Sequence, residues 1–492
     1  DLEVSDYIKH LVLHEKKTKV IAAVIEGFKD GAKFIEAAEL ALEHCKPLIV
    51  LKIGETEVGK KAAASHTGSL TGSDSVIDAV FNQKGVIRVH NYDELFQTAS
   101  LFSKGRIPKG NKVGILSSTG GGGIIMADYY SKLGLTVPDP SPKTKSLASK
   151  EIAAFGKVAN PFDLTGQIFS DPEMFKRCMK LFVEEDNFDI IQVNVSMVAG
   201  QSSEQRGLML LESIEGSSKP VVTWWAAGSL SEPGIEVLNG SEVALFRSPE
   251  RCATAVKSLV KYYQYSDSRS DRSPSSSDID CATSLDRAKE LLDAADTNLS
   301  EHQSKTLLNF YGIPVTREQV VTSPQEAIRF AEEIGFPVVL KIDSPDILHK
   351  SEAKAVRLGV GSKKEILQFY DEIIKNAEKY DPDAKINGVL VQEMIQNEIL
   401  KDVSLRVIPL SKFDAEQMVN EIKAYPILQG MRGKQRSDIE AIVDVLLRVA
   451  RLAEDCRNTI SEIDINPLIV FDEGRGVKAL DALVVSKTPD FN

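Results

Sequence analysis

The sequence predicts an α/β protein: two doubly wound parallel-sheet units followed by a mixed α+β region. Three observations carry this. Short apolar runs rich in β-branched residues alternate with longer amphipathic stretches, and the alternation restarts once within the first half. A polar tether, Tyr265–Asp280, then interrupts the pattern. Beyond it, Ser461–Val470 and Val477–Val485 read as two strands able to pair with each other, which marks a different kind of domain. At roughly 100–200 residues per domain, the 492 residues imply three such regions.

Taken in order, Lys19–Ile25 (KVIAAVI) reads as a buried strand, and Lys33–His44 as a helix with apolar residues at helical spacing. Pro47–Ile53 (PLIVLKI) follows as a second strand. The two units join near Gly105–Asn111 (GRIPKGN), and Lys112–Ser117 (KVGILS) opens the second, followed by a glycine run and the helix Ile124–Leu133. Asp189–Val195 and Pro220–Trp225 continue it as strands, each after a helical segment. Ser, Asp and Arg dominate Tyr265–Asp280, leaving almost nothing to bury, so this linker lets the following domain move. Leu299–Tyr311 reads as a helix that Ser300 caps and Gly312–Pro314 ends. The strand Pro337–Ile342 (PVVLKI), the polar loop Asp343–Ala355 and the strand Lys385–Gln392 (KINGVLVQ) complete the third region's centre.

Composition narrows the function. With 42% hydrophobic and 26% charged residues, the chain is globular rather than disordered or fibrous. Its apolar runs, such as Pro47–Val50, fall far short of the roughly 20 residues a membrane span needs. A net charge of −12 repels polyanions, so a nucleic-acid partner is not expected. The five cysteines (Cys45, Cys178, Cys252, Cys281, Cys456) are scattered without a CxxC pair, which points to a reducing, cytoplasmic compartment. No secretory signal is visible. The chain starts at Asp1 rather than Met, and an upstream portion is expected.

Lys60–Asp74 (KKAAASHTGSLTGSD) is the most informative stretch. His66 sits among small residues that permit close approach of a ligand, and Thr67, Gly68, Ser69 and Gly72 offer hydroxyl and backbone donors suited to phosphate. A neutral imidazole is a good phosphoryl acceptor; composition alone also allows a purely structural histidine. Ser117–Ile124 (SSTGGGGI) joins a strand to a helix, so its N–H groups attract an anion or simply make a tight turn. Glu26 ends an apolar strand at the carboxyl edge, where ligands of open α/β sheets bind. Lys341, inside PVVLKI, needs an anionic partner unless it snorkels to the surface. Trp224–Trp225 either lines an acyl pocket or supplies one core and one covering residue.

The His66 segment closely resembles the active-site histidine motif of the NDP-forming acyl-CoA synthetases, the superfamily that includes ADP-forming acetyl-CoA synthetase and succinyl-CoA synthetase. The resemblance runs along nearly the whole chain. Val24–Gly31 (VIEGFKDG) is similar to the segment whose glutamate orients the phosphohistidine, which falls on Glu26. Ser117–Ile124 resembles the family's glycine-rich turn, with Gly121, Gly122 and Gly123 directed at phosphate, and Asn160–Leu164 (NPFDL) the motif paired with it. Leu299–Pro314, Pro337–Gly359 and Glu462–Val470 with Leu480–Asp481 resemble its ATP-grasp domain.

The resemblance implies two flavodoxin-type domains, 1–107 with the phosphohistidine and 108–265, then a linker at 266–296 and an ATP-grasp domain at 297–492. It implies a ligase that converts a carboxylic acid, ATP and CoA to acyl-CoA, ADP and phosphate through phosphohistidine and an acyl phosphate. His66 and Glu26 are then catalytic, and His349 (ILHKS) is the second histidine, which carries phosphate toward the first. Succinyl-CoA synthetases lack that residue, so it favours the acetyl-CoA synthetase-like branch. Lys341 contacts nucleotide phosphate, Glu393 within Val391–Met394 (VQEM) contacts adenine, and Asn466 with Asp481 holds Mg2+. A homo-oligomer is expected. Two further readings are an ATP-dependent acyl-CoA-forming lyase on a specialised acid, and a non-catalytic regulatory pseudo-synthetase.

Three departures stand out. The family's Rossmann-type CoA-binding domain, which precedes this chain's start in fused members, is not present. A glycine-rich stretch of the nucleotide site is missing between Glu398 and Ile399. Both are expected to be lacking from this chain rather than from the protein that carries it. After His349, Ala353–Lys354–Ala355 replaces the usual glycines.

Overall fold

A computed structural model of the chain describes residues 2–56, 58–61, 73–152, 158–169, 171–196, 198–267, 281–295, 298–395, 403–430 and 435–487. The chain divides into two compact units, Asp1–Ser270 and Asp271–Asn492.

The first unit holds two parallel sheets. Strands β1 (Ile21–Ile25), β2 (Leu48–Lys52) and β3 (Ile87–Val89) form one, in the order β1-β2-β3. The middle strand is buried throughout, Lys52 included. The first strand is not the fully buried element its composition suggests: it stands at the sheet's edge, and only Ile21 and Ile25 are buried while Ala22 and Val24 are exposed. Helix Gly31–Glu43 covers the sheet, with Asp30 capping it by accepting from the Lys33 N–H.

Strands β4 (Val113–Ser117), β5 (Phe162–Asp163), β6 (Ile190–Ser196), β7 (Val221–Ala226) and β8 (Ala244–Phe246) form the second sheet in the order β5-β4-β6-β7-β8. All neighbours are parallel. Chain order therefore reads 2-1-3-4-5, the flavodoxin-like winding, whose switch point lies between the first and third strands, β4 and β6. The two sheets share one core: Ile49, Leu51 and Phe102 pack with Val113, Ile115 and Val256. Helix Pro249–Asp267 contributes Val256, Leu259 and Tyr262 to it, so the first three residues of the expected linker, Tyr265–Asp267, are helical.

The second unit begins with helix Cys281–Asp293, whose Ala288 and Leu292 are buried against Leu299, Leu307 and Leu308. These apolar positions recruit residues of the expected 266–296 linker into the core. Ser300 caps helix Glu301–Phe310, and Gln303 returns the bond to complete a capping box. Strands β9 (Glu318–Val321), β10 (Val338–Asp343), β11 (Val356–Val360) and β12 (Gly388–Glu393) form an antiparallel sheet in the order β11-β10-β12-β9. At the end of the unit, each of the two expected strands is split into two. Strand β13 (Ile460–Ile465) pairs with β16 (Ala482–Ser486), and β14 (Leu468–Val470) with β15 (Val477–Ala479). The splits fall at Asn466–Pro467 and Leu480–Asp481. No helix among the described residues is long and apolar enough to cross a membrane.

Candidate active site

In the first unit, chemistry gathers at the carboxyl edges of the sheets. His66 lies outside the described residues, as do Thr67, Gly68, Ser69 and Gly72. Glu26 directly follows β1 and is half-buried. Its Oε2 is buried with no hydrogen-bond partner among the described residues, an expensive state for a carboxylate and one that calls for a donor. Behind it, the buried Lys52 ammonium donates to the Glu26 carbonyl at 2.8 Å and to the Ile53 carbonyl, which fixes the chain at this corner.

The glycine run opens helix Gly120–Lys132 right after β4, earlier than the sequence suggested, so the glycines are its first turn. Thr119 caps it, its Oγ1 accepting from the Gly122 N–H at 3.3 Å. This turn sits at the β4–β6 switch point. The Ser118 hydroxyl lies 3.1 Å from Ser196 Oγ and accepts from the Ser196 N–H at 3.0 Å, while Asn194 Nδ2 donates to the Gly122 carbonyl at 3.0 Å. The three glycines do different work. A Cβ on Gly123 would stand 2.9 Å from Pro161 Cβ, and one on Gly122 3.1 Å from Thr119 Oγ1. A Cβ on Gly121 would meet nothing within 4 Å. Gly123 thus lets the Asn160–Leu164 motif close on the turn, and Gly121 leaves open space for a ligand. Asn160 locks that motif by accepting from the Ile115 N–H and donating to the Val113 and Pro138 carbonyls. Trp225 is buried and Trp224 half-buried, one core residue and one covering residue.

The second unit holds a network of ionised groups that the sequence only half revealed. Lys341 on β10 is 8% exposed. Its Nζ donates to Glu301 Oε1 at 2.8 Å and lies 3.4 Å from Asp481 Oδ2. Burial opposes the charge, but Glu301 and Asp481 outweigh it and raise the lysine's pKa. Lys305 Nζ donates to the same Glu301 oxygen at 2.8 Å and to Glu318 Oε2 at 2.6 Å. Lys350 Nζ lies 3.0 Å from Glu301 Oε2. Burial works against the Glu301 carboxylate too, yet Lys305, Lys341 and Lys350 hold its pKa well below the usual range. In the sequence, Glu301 and Lys305 look like an ordinary exposed pair one helical turn apart. A signal was present: both share the stripe Glu301, Ser304, Lys305, Leu308, which points into the core.

His349 is exposed on the loop after β10; its carbonyl accepts from the Glu352 and Ala353 N–H groups. Glu393 ends β12, and its carboxylate is taken by Lys478, by the Arg317 N–H at 3.0 Å and by Arg317 Nε at 3.3 Å. Burial is outweighed by these donors, and its pKa is lowered. Asn466 and Asp481 come together where β13 meets β16: the Asn466 N–H donates to the Asp481 carbonyl at 3.2 Å. Buried Gln392 braces this corner through the Leu480 carbonyl at 2.9 Å. Among the described residues no group of three His, Cys, Asp or Glu could hold a metal. One amide oxygen, one carboxylate and phosphate oxygens nevertheless suit magnesium, which keeps several waters.

Comparison with known proteins agrees with this division. Residues 1–102 match the succinyl-CoA ligase-like flavodoxin domain, and residues 290–399 and 395–485 match an ATP-grasp domain. The two ATP-grasp pieces meet where the glycine-rich stretch was expected. The chain is 33% identical over 97% of its length to acetate–CoA ligase (ADP-forming) I of Archaeoglobus fulgidus, 71% of which is covered. It is 29% identical over 97% to 4-hydroxybutyrate–CoA ligase (ADP-forming) of Nitrosopumilus maritimus, with 72% covered. Among solved structures, it is similar to a dinucleotide-forming acetyl-coenzyme A synthetase of Ca. Korarchaeum cryptofilum in complex with phosphate and ADP. There the identity is 27% and the TM-score 0.50, with 54% of this chain and 57% of that one covered.

Proposed function

Because the chain belongs to the ADP-forming acetyl-CoA synthetase family, we propose that it is an acid–thiol ligase making acyl-CoA, ADP and phosphate from a carboxylic acid, ATP and CoA. The γ-phosphoryl group leaves ATP as a P–N bond forms to an imidazole, with His349 receiving it first and His66 second. The phosphohistidine at His66 passes it to a carboxylate oxygen of the acid. The CoA sulfur then attacks the acyl carbon and phosphate leaves. Splitting the reaction lets ATP and CoA react at separate sites.

Each step draws on residues of this chain. Lys341 supplies a fixed positive charge for the nucleotide phosphates. Asn466 and Asp481 would hold Mg2+, which when bound neutralises charge on those phosphates. The unpartnered Glu26 oxygen supports a role in accepting the His66 N–H, setting its tautomer and stabilising the phosphorylated imidazolium. The open face at Gly121 and the N–H groups of that helix start support a role in receiving phosphate. Glu393, committed to Lys478 and Arg317, would shape the adenine pocket through these contacts. We further propose a cytoplasmic, homo-oligomeric enzyme; the free thiols of Cys45, Cys178, Cys252 and Cys456 accord with a reducing compartment.

What carries the reading is the extent of the similarity to ADP-forming ligases, which spans both the histidine-bearing and the nucleotide-binding parts. The test is a panel of carboxylic acids, assayed on the full-length protein for CoA-dependent release of ADP together with acyl-CoA. Release of AMP and pyrophosphate, or no acyl-CoA from any acid, would overturn it.

A further inference from the structure

The lysine network has a centre, and the proposed chemistry has not used it. Glu301 is fully buried, and Lys305 beside it is 1% exposed. Glu301 Oε1 accepts from Lys305 and Lys341, both at 2.8 Å, and its Oε2 pairs with Lys350 at 3.0 Å by charge and proximity, without the alignment of a hydrogen bond. These lysines come from three places: the same helix, β10, and the loop beyond β10. Lys350 is the residue next to His349, and its side chain is 14% exposed where His349 is exposed. One carboxylate therefore ties together Lys341, the strand lysine proposed to meet nucleotide phosphate, and the loop that carries His349.

We infer that Glu301 is a positioning residue for phosphoryl transfer: it fixes Lys341 and, through Lys350, holds the His349 loop in register with that lysine. The inference rests on the synthetase reading above. A loop with no such tie has to find its position at every turnover, and a misplacement of about 1 Å can cost up to roughly a hundredfold in rate. Backbone bonds close the base of the loop, Ile342 N–H to the Ala355 carbonyl and Ala355 N–H to the Lys350 carbonyl, both at 2.9 Å; the Lys350 side chain adds the link to Glu301 and so to Lys341. The paired residues of β10 and β11 nearest the loop are Lys341 and Val356, which leaves His349 well outside the ladder.

The experiment measures single-turnover transfer of phosphate from ATP to the full chain, with the KM for ATP measured in parallel. Lys350→Gln cuts the loop tie and keeps a polar side chain at a rim position. We expect its transfer rate to fall about tenfold or more while the KM for ATP stays within about twofold. Lys350→Arg, which keeps the charge, should restore most of the rate. Glu301→Gln should lower the rate as well; because it removes the charge that Lys305, Lys341 and Lys350 share, leaving Lys305 with Glu318 and Lys341 with Asp481, it risks misfolding, and the Lys350 pair decides the matter without it. A Lys350→Gln chain with the wild-type rate would overturn the proposal alone. So would a raised KM at unchanged rate, since Lys350 would then only bind nucleotide. A wild-type chain that takes no phosphate from ATP would overturn the synthetase reading and this proposal with it.

Discussion

The glycine turn after β4 and the lysine network around Glu301 suit the same ligand group by opposite means. The turn is made of backbone N–H groups, the hydroxyls of Ser117, Ser118, Thr119 and Ser196, and the Asn194 amide. The network is made of full charges, with Glu301, Glu318 and Asp481 set against Lys305, Lys341 and Lys350. Neutral dipoles satisfy one another when no anion is bound. Buried cations do not, so the second site carries its own counter-ions. A phosphate bound at either place would then leave without stranding a charge, as the proposed relay of phosphoryl groups requires.

The largest test of this contrast removes the carrier. If phosphate passes between two such sites on an imidazole, His66→Ala should lose roughly 10⁴-fold or more of CoA-dependent turnover. It should also lose the acid-labile label from radioactive ATP at that position. Retained wild-type ligation would leave the two sites as unrelated anion pockets.

Next comes stability. Lys305→Met removes the ammonium from both Glu318 and Glu301, leaving Glu318 only the half-exposed His302 and the Thr316 hydroxyl, and breaking a buried pair in this way should cost about 3–5 kcal/mol in denaturant unfolding. Asn194→Ala removes one neutral bond to the Gly122 carbonyl and one from Gln192, for about 1–3 kcal/mol. Equal costs would mean that the charges around Lys305 are better solvated than their burial says. A smaller effect splits the glycines. Gly123→Ala drives a methyl against Pro161 and should cost about 1–3 kcal/mol. Gly121→Ala meets open space and should leave stability unchanged or up to about 1 kcal/mol higher. It should nevertheless slow phosphoryl transfer if, as proposed, the phosphate enters at this open face.

This contrast also explains what the sequence could disclose. The glycine turn was legible because it is local: a strand, four glycines and a helix within twenty residues, with Asn160–Leu164 as a second local signal. The motif resemblance names Asn466 and Asp481 together, and a backbone hydrogen bond sets them side by side; their metal role stays a proposal. The ion network was legible only in part: Glu301 and Lys305 share one helix stripe, but 318, 341, 350 and 481 join them only through the fold. Lys341 announced a missing partner by sitting in an apolar strand, but nothing local named Glu301. Where the first unit differs from the reading, edge position is the reason: the composition of β1 fits burial, and its place in the sheet exposes Val24. The helix at Cys281–Asp293 was hidden because its few apolar residues follow a serine-rich run.

The smallest effect is one of pH, and it separates the two regions in principle. Nothing in the glycine turn titrates near neutrality, so its contribution to stability should be flat there. At the other site, His302 Nδ1 lies 3.2 Å from Glu318 Oε1. The hydrogen bond to Glu318 raises the imidazole's pKa, outweighing the burial that would lower it. A group whose pKa rises on folding stabilises the fold fully below its unfolded value, about 6.5, and loses that contribution as pH climbs through the folded value. The stability gap between the wild-type chain and His302→Gln should therefore be widest below about pH 6.5 and shrink above it. Glu301, held far below the carboxylate range, adds no slope in that window. The side chain of His302 is 40% exposed, so the effect is small and salt should weaken it. A gap that widens with rising pH would mean that His302 sits neutral in the fold and that Glu318 belongs to Lys305 alone.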